Sequence, residues 1–262
     1  MIGFIGGGNM AEALIRGMRL EGMREIMVSE PNEERRHYLE KQYDVRTTAS
    51  NREVADASPI IILAVKPQNM GSVLDDIAAG VDESKTVVSI AAGITLAYLQ
   101  SKLKTTRLIR VMPNTPALVL EGMSVLSLCS CLPEPVIAPV RQIFMSIGRV
   151  MTLPERQINA VTALSGSGPA FIALFVECMI AAGEHLGLSP DSARELAIQT
   201  LVGTAKQIHE GMSPEKIREM VTSPGGTTAA GLTAFREKGL KEITIAAVAA
   251  AHHRAEELGR KD

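Results

Sequence analysis

Ser223-Pro224-Gly225-Gly226-Thr227-Thr228 places a rigid, side-chain-poor turn directly before an apolar-periodic segment. Pro224 fixes its own φ, the two glycines let a ligand approach the backbone, and the N–H groups of Gly226, Thr227 and Thr228 open the next helix without intrahelical partners. A helix N-terminus is electropositive, so such a turn suits a small carboxylate. The same residues would also make a plain helix N-cap, with Thr227 capping and Pro224 ending the preceding helix.

The other end of the chain holds a second backbone-rich loop. Met1-Ile2-Gly3-Phe4-Ile5 reads as a short apolar strand, and it runs into Gly6-Gly7-Gly8-Asn9-Met10-Ala11 and then a helical pattern through Leu20. This is the dinucleotide fingerprint in its proper strand-to-helix context: Gly6 for the tight turn, Gly8 for close approach of a pyrophosphate, Ala11 for close packing of helix on strand. About 20 residues further on, Glu30 stands where a carboxylate bonds a free ribose 2′-hydroxyl and repels a 2′-phosphate. Ser29, Asn32, Arg35 and Arg36 share that loop and helix start, and an arginine folded back there would accept the phosphate of NADP. The pattern of acids followed by bases is also that of an ordinary helix start. Coenzyme choice stays open between NADPH and NADH.

Three further strand ends carry loops shaped for contact. Ala64-Val65-Lys66-Pro67 closes a wholly apolar run, placing Lys66 at the edge where open α/β sheets bind ligands. Ala91-Ala92-Gly93 offers the small residues against which a flat ring can lie, and two prolines bracket Asn114 and Thr115. Ser165-Gly166-Ser167-Gly168-Pro169-Ala170 reads as a break between two apolar helices, a hinge or part of a pocket. A nucleophilic serine there is discounted, since no histidine and acid stand in a recognisable arrangement with it. Neither the five histidines nor Cys129 and Cys131 have metal-ligand spacing, so no metal site is expected; Cys178 reads as a small packed hydrophobe.

The elements that must position these groups follow from periodicity. Strands are expected at 2–5, 26–29, 45–47, 60–65, 86–90, 108–111, 123–128 and 149–153, alternating with helices. After Pro154 the strand pattern gives way to helical periods, including a stripe of Phe171, Leu174, Phe175 and Met179, with Ser189-Pro190 and Ser213-Pro214 as N-cap and first-turn pairs. The expected fold is α/β: a Rossmann-type, mainly parallel sheet over 1–153 and an all-helical domain over 154–262. A net charge of -2 with 21% charged residues gives no basic field for nucleic acid. No apolar stretch approaching roughly 20 residues is apparent, and Met1 leads straight into the first strand, so neither a membrane span nor a signal peptide is expected and the protein is read as cytoplasmic.

Taken in order, the glycine fingerprint, Ala64-Val65-Lys66-Pro67, Ala91-Ala92-Gly93, Asn114-Thr115-Pro116, Ser165 to Ala170 and Ser223 to Thr228 resemble the motifs of the pyrroline-5-carboxylate reductases across essentially the whole chain. The resemblance implies reduction of a cyclic imine to proline with NADPH or NADH, and a helical domain that interlocks in a homodimer, often within a ring of dimers. It also implies that Gly6, Gly7, Gly8, Asn9, Met10, Asn51 and Ala64 to Pro67 hold the dinucleotide, with Ala91, Ala92 and Gly93 near the nicotinamide. Ser29, Glu30 and Asn114 complete the expected coenzyme set. Ser223, Pro224, Gly225, Gly226, Thr227 and Thr228 are expected to bind the substrate, with Glu210 and Lys206 near its pocket. Glu30 departs from the small or basic residue of many NADPH-using relatives. An imine needs little acid-base machinery, so the Thr228 hydroxyl suffices as donor and orienter. A β-hydroxyacid dehydrogenase would carry a lysine between Gly168 and Leu186, where none stands, and a nucleotide-binding sensor without turnover is the reading from another class.

Overall fold

The structure, a computed structural model, describes residues 1–129 and 132–259; Cys131 lies outside the described residues. The first part alternates β1 (Ile2–Ile5), α1 (Asn9–Leu20), β2 (Ile26–Ser29), α2 (Glu33–Tyr43), β3 (Arg46–Thr48), α3 (Asn51–Ala57) and β4 (Ile60–Leu63). It continues through α4 (Met70–Ile77), β5 (Thr86–Ser89), α5 (Leu96–Lys102), β6 (Leu108–Met112), β7 (Gly122–Leu128), α6 (Glu134–Met145) and β8 (Gly148–Thr152). Helices follow: α7 (Ile158–Val161), α8 (Gly168–His185), α9 (Pro190–His209), α10 (Pro214–Val221), α11 (Thr227–Glu237) and α12 (Leu240–Gly259).

The strands form one sheet in the order β3-β2-β1-β4-β5-β6-β7-β8. Every pairing is parallel except β6 with β7, which runs antiparallel. Alternate residues of each strand feed opposite faces: Phe4, Val28, Ile62 and Val88 pack with Leu14, Met18 and Phe144 on one, while Ile5, Met27, Ile61 and Leu63 pack with Leu74 and Ile77 on the other. The chain reverses its direction of strand addition between β1 and β4, which opens the crevice above their C-terminal ends.

The eight strands fall where their apolar runs place them, with ends moved by at most two residues. The largest change is at Val65: β4 stops at Leu63, because Pro67 sets a short 3₁₀ turn over Pro67–Asn69 and carries the chain off the sheet. Both Ser-Pro starts are real caps, since Ser189 and Ser213 accept from the N–H groups of Ser192 and Lys216.

Three expectations need correction. Residues 162–166 form one turn of π-helix, so the serine-glycine stretch widens the helix rather than breaking it, and the helical run is continuous from Glu155 to His185. That run contains an apolar window of mean hydropathy 1.6, only 6% buried, and is long and apolar enough by length and composition to cross a membrane, contrary to the sequence reading. No residue of α8 is buried within the chain, and Ile172, Leu174, Phe175 and Met179 are each at least 41% exposed. Cys178, on the same helix, is exposed and not packed, since nothing among the described residues covers it.

Contacts divide the chain into two compact units: Met1–Ser167 with Ala251–Asp262, and Gly168–Ala250. The residues after the sheet thus serve both units, since Ile158 and Val161 pack on Val125 of β7. Within the second unit α8 lies close on α9, a Cβ on Gly183 standing only 3.0 Å from that of Ala193, and the rings of Phe175 and Phe235 are 6.4 Å apart.

Candidate functional site

The Gly-rich loop sits at the sheet's switch point. Gly6 has φ +97, and a Cβ there would lie 2.7 Å from the carbonyl oxygen of Ala64, so no other residue fits where β1 hands over to α1. Its N–H donates to the Ser29 carbonyl, and the N–H of Ala64 donates to Ile5, which draws the ends of β1, β2 and β4 together. Gly8, the N-cap of α1, has no side-chain capping bond, and a Cβ on it would meet nothing within 4 Å. Open space beside uncapped helix N–H groups is what a pyrophosphate requires, and the loop fits one.

Around this loop the structure gathers most of the expected residues. Gly7 donates its N–H to Glu30 at 2.9 Å, and the Ser29 hydroxyl donates to Asn51 at 2.7 Å. Asn51 opens α3 and donates in turn to Asp76. Lys66 is exposed at the end of β4, above the same edge. Arg35, considered above as a phosphate acceptor, donates from Nε to the Gly7 carbonyl at 2.7 Å and pairs with Glu12 of α1. Arg36 donates to the carbonyls of Glu30 and Pro31. Burial pushes the Glu12 carboxyl up, but the hydroxyls of Tyr43 and Tyr38 and the Arg35 guanidinium outweigh it and hold the group below its ordinary value. Tyr43 is raised, by burial first and then by its bond to Glu12.

Ala91-Ala92-Gly93 follows β5. Gly93 has φ +83, and a Cβ there would sit 3.3 Å from the backbone of Leu258, so the end of α12 packs against this loop. Beside it opens a cleft of about 330 Å³ lined by Gly93, Thr95, Arg110, Glu155, Arg156 and Asn159 among others. Arg110, buried in β6, donates to Glu155 at 3.2 Å, and the same carboxylate oxygen accepts the Leu96 N–H at 2.8 Å, bracing the start of α5. Burial pulls the Arg110 guanidinium below its usual value, partly offset by Glu155. The sequence reading passed over this pair, although a charge inside the apolar run Leu108-Ile109-Arg110-Val111-Met112 is its signal.

The Asn114 side chain is already committed inside the protein. Its oxygen accepts the Met123 N–H at 2.8 Å and its amide donates to the carbonyl and hydroxyl of Ser165, pinning the π turn to the loop after β6.

In the second unit, Ser223 to Gly226 closes a turn in which the Gly226 N–H donates to the Ser223 carbonyl at 3.0 Å. The N-cap of α11 is Gly226, without a side-chain bond, so Thr227 does not cap the helix and Pro224 lies beyond the end of α10. Thr227 and Thr228 begin α11 with N–H groups free for an anion. Glu210 and Lys206 are exposed at the end of α9.

Two family patterns match. Residues 155–258 fit the pyrroline-5-carboxylate reductase dimerisation family, and residues 1–93 fit the family described as NADP oxidoreductase, coenzyme F420-dependent. A pyrroline-5-carboxylate reductase from Synechocystis is 42% identical, the match covering 99% of this chain and 98% of that one. The chain belongs to the pyrroline-5-carboxylate reductase family. A family member from Coxiella burnetii has a solved structure with TM-score 0.93 at 34% identity, over 98% of this chain and 97% of that one. A Plasmodium falciparum pyrroline carboxylate reductase, solved with NADP bound, superposes with TM-score 0.88 at 32% identity over 98% and 97%. A dimerisation family over 155–258 accounts for the apolar faces that the single chain leaves bare.

Proposed function

We propose that the protein is an NAD(P)H-dependent reductase of 1-pyrroline-5-carboxylate, forming L-proline in the last step of its biosynthesis. One observation carries this: full-length likeness at 42% identity to a pyrroline-5-carboxylate reductase, in a chain that keeps the open glycine loop. The coenzyme supplies the hydride. Gly6 to Met10 with Ser29, Glu30, Asn51 and Ala64 to Pro67 hold it, and Ala91 to Gly93 support its nicotinamide end. Asn114 acts through the π turn it pins. The Ser223 to Thr228 turn takes the substrate carboxylate on its backbone N–H groups, the Thr228 hydroxyl orients the ring nitrogen and relays to it a proton that solvent replaces, and Glu210 borders this site. No strong acid is required, since the imine nitrogen is itself basic and takes up a proton readily.

Residues 1–153 form the coenzyme domain and 154–262 the substrate-binding and dimerisation domain of a cytoplasmic homodimer, itself built into a larger ring. The partners are small molecules, with neither nucleic acid nor membrane among them. Mixing purified protein with the imine and reduced coenzyme and following the absorbance loss tests the activity; coenzyme binding without turnover would refute it. Sedimentation tests the assembly, and a fully active monomer would refute the dimer.

A further inference from the structure

The segment from Ser29 to Arg36 faces the Gly-rich loop through two hydrogen bonds to one residue, Gly7, at its N–H and at its carbonyl. Glu30 accepts the Gly7 N–H on Oε2 at 2.9 Å and the Asn32 N–H on Oε1 at 3.0 Å. Arg35 donates from Nε to the Gly7 carbonyl at 2.7 Å. Gly7 is thereby held at both ends by residues that belong to the next strand and helix. We propose that this chain selects the coenzyme lacking a 2′-phosphate, with Glu30 as the specificity-determining acceptor for the ribose hydroxyl and Arg35 as a positioning residue that fixes Gly7, and Glu30 with it. The proposal rests on the function given above.

Two backbone N–H groups fix the orientation of the Glu30 carboxylate while leaving each oxygen a lone pair, so a preorganised acceptor awaits a hydroxyl. A 2′-phosphate would meet that negative charge, with Glu33 and Glu34 close behind in the first turn of α2. It would need a cation to compensate, and both local arginines are committed. Arg35 pairs with Glu12, lies over the Tyr38 ring at 5.0 Å, and holds Gly7; Glu12 is locked in turn by the hydroxyls of Tyr38 and Tyr43 at 2.8 and 2.7 Å. Freeing Arg35 for a phosphate would break all of these contacts. Arg36 chelates the Glu30 and Pro31 carbonyls through Nη1, shaping the same loop from below.

The test measures dissociation constants for NADH and NADPH by nucleotide fluorescence, on the full chain and on Glu30→Ser, Glu30→Gln, Arg35→Lys and Arg36→Ala, alongside turnover of the imine. The full chain should bind NADH at least about tenfold more tightly than NADPH, and both Glu30 substitutions should shift the ratio toward NADPH by about tenfold or more, since charge alone separates the two coenzymes there. Arg35→Lys keeps the charge but cannot bridge Gly7 and Glu12 with one planar fork, so it should weaken both coenzymes by the same factor, leaving their ratio in place. Arg36→Ala should leave the ratio in place. Equal or tighter NADPH binding by the full chain, a ratio unmoved in Glu30→Ser, or a selective loss of NADPH in Arg36→Ala overturns the proposal while imine turnover still supports the reductase. Absence of both coenzyme binding and turnover overturns the two together.

Discussion

Removing Glu155 should destabilise the sheet unit more than a surface acid would. Its carboxylate lies 3.2 Å from a guanidinium of Arg110, whose side chain is 5% exposed, while Glu155 is itself 31% exposed. At that separation and an effective dielectric near 20 the attraction is roughly 5 kcal/mol, and water reaching the exposed side of Glu155 reduces what a substitution recovers to about 2 kcal/mol. The Leu96 N–H loses its acceptor at the same time, which costs about 1 kcal/mol more. Glu155→Ala should therefore cost about 3 kcal/mol; with an unfolding entropy near 2.1 cal/mol/K per residue, this lowers the melting temperature by roughly 5 °C for a chain melting as one unit. Calorimetry across a short series makes the reasoning exposed. Glu155→Gln should fall between alanine and the native chain because it still accepts from Leu96, and Arg110→Met combined with Glu155→Leu should recover most of the loss, since no buried charge is then left unpaired. Hydrogen exchange at 91–96 should quicken in Glu155→Ala alone. A melting temperature within about 1 °C of the native value in Glu155→Ala would refute the account, because Arg110 would then be satisfied without it.

Thr228→Ala should slow imine reduction by about 10²-fold, roughly 3 kcal/mol on the barrier, with coenzyme binding unchanged; near-native kinetics with a lowered melting temperature would make Thr228 a residue of the turn only. Gly8→Ala should melt within about 1 °C of the native chain, since its Cβ meets open space at φ -70, yet raise the coenzyme dissociation constant at least about tenfold by filling the approach of the pyrophosphate, and unimpaired binding would show that the coenzyme does not cross Gly8. Glu12 has its folded value depressed, so its contribution is fully present above the unfolded value, about pH 4.3, and is lost as the pH falls through the lower folded one; Glu12→Gln should flatten the acid limb of a melting-temperature profile, and parallel limbs would refute the assignment.

Legible in the sequence alone is whatever the backbone alone decides. Apolar runs set the strands, because most residues of a sheet covered on both faces are buried and apolar, and Ile60-Ile61-Ile62-Leu63 left no other place. The glycines were legible for the same reason: Gly6 is required by a φ and a neighbouring carbonyl that exclude every side chain. Side-chain partners were not, since they depend on which strands the topology sets side by side. Arg110 finds Glu155 across 45 residues and Asn114 finds Ser165 across 51, and neither spacing leaves a periodic trace. The π turn escaped because Ser165 and Gly166, like the Ser167 and Gly168 that follow, are residues typical of a loop, whereas its register is held by Asn114 from outside. Arg35 shows the limit most plainly. Its type and position marked it as a phosphate acceptor, and only the folded contacts with Gly7, Glu12 and Tyr38 turn the same guanidinium into a brace for the loop, which is why coenzyme choice became arguable only from the structure.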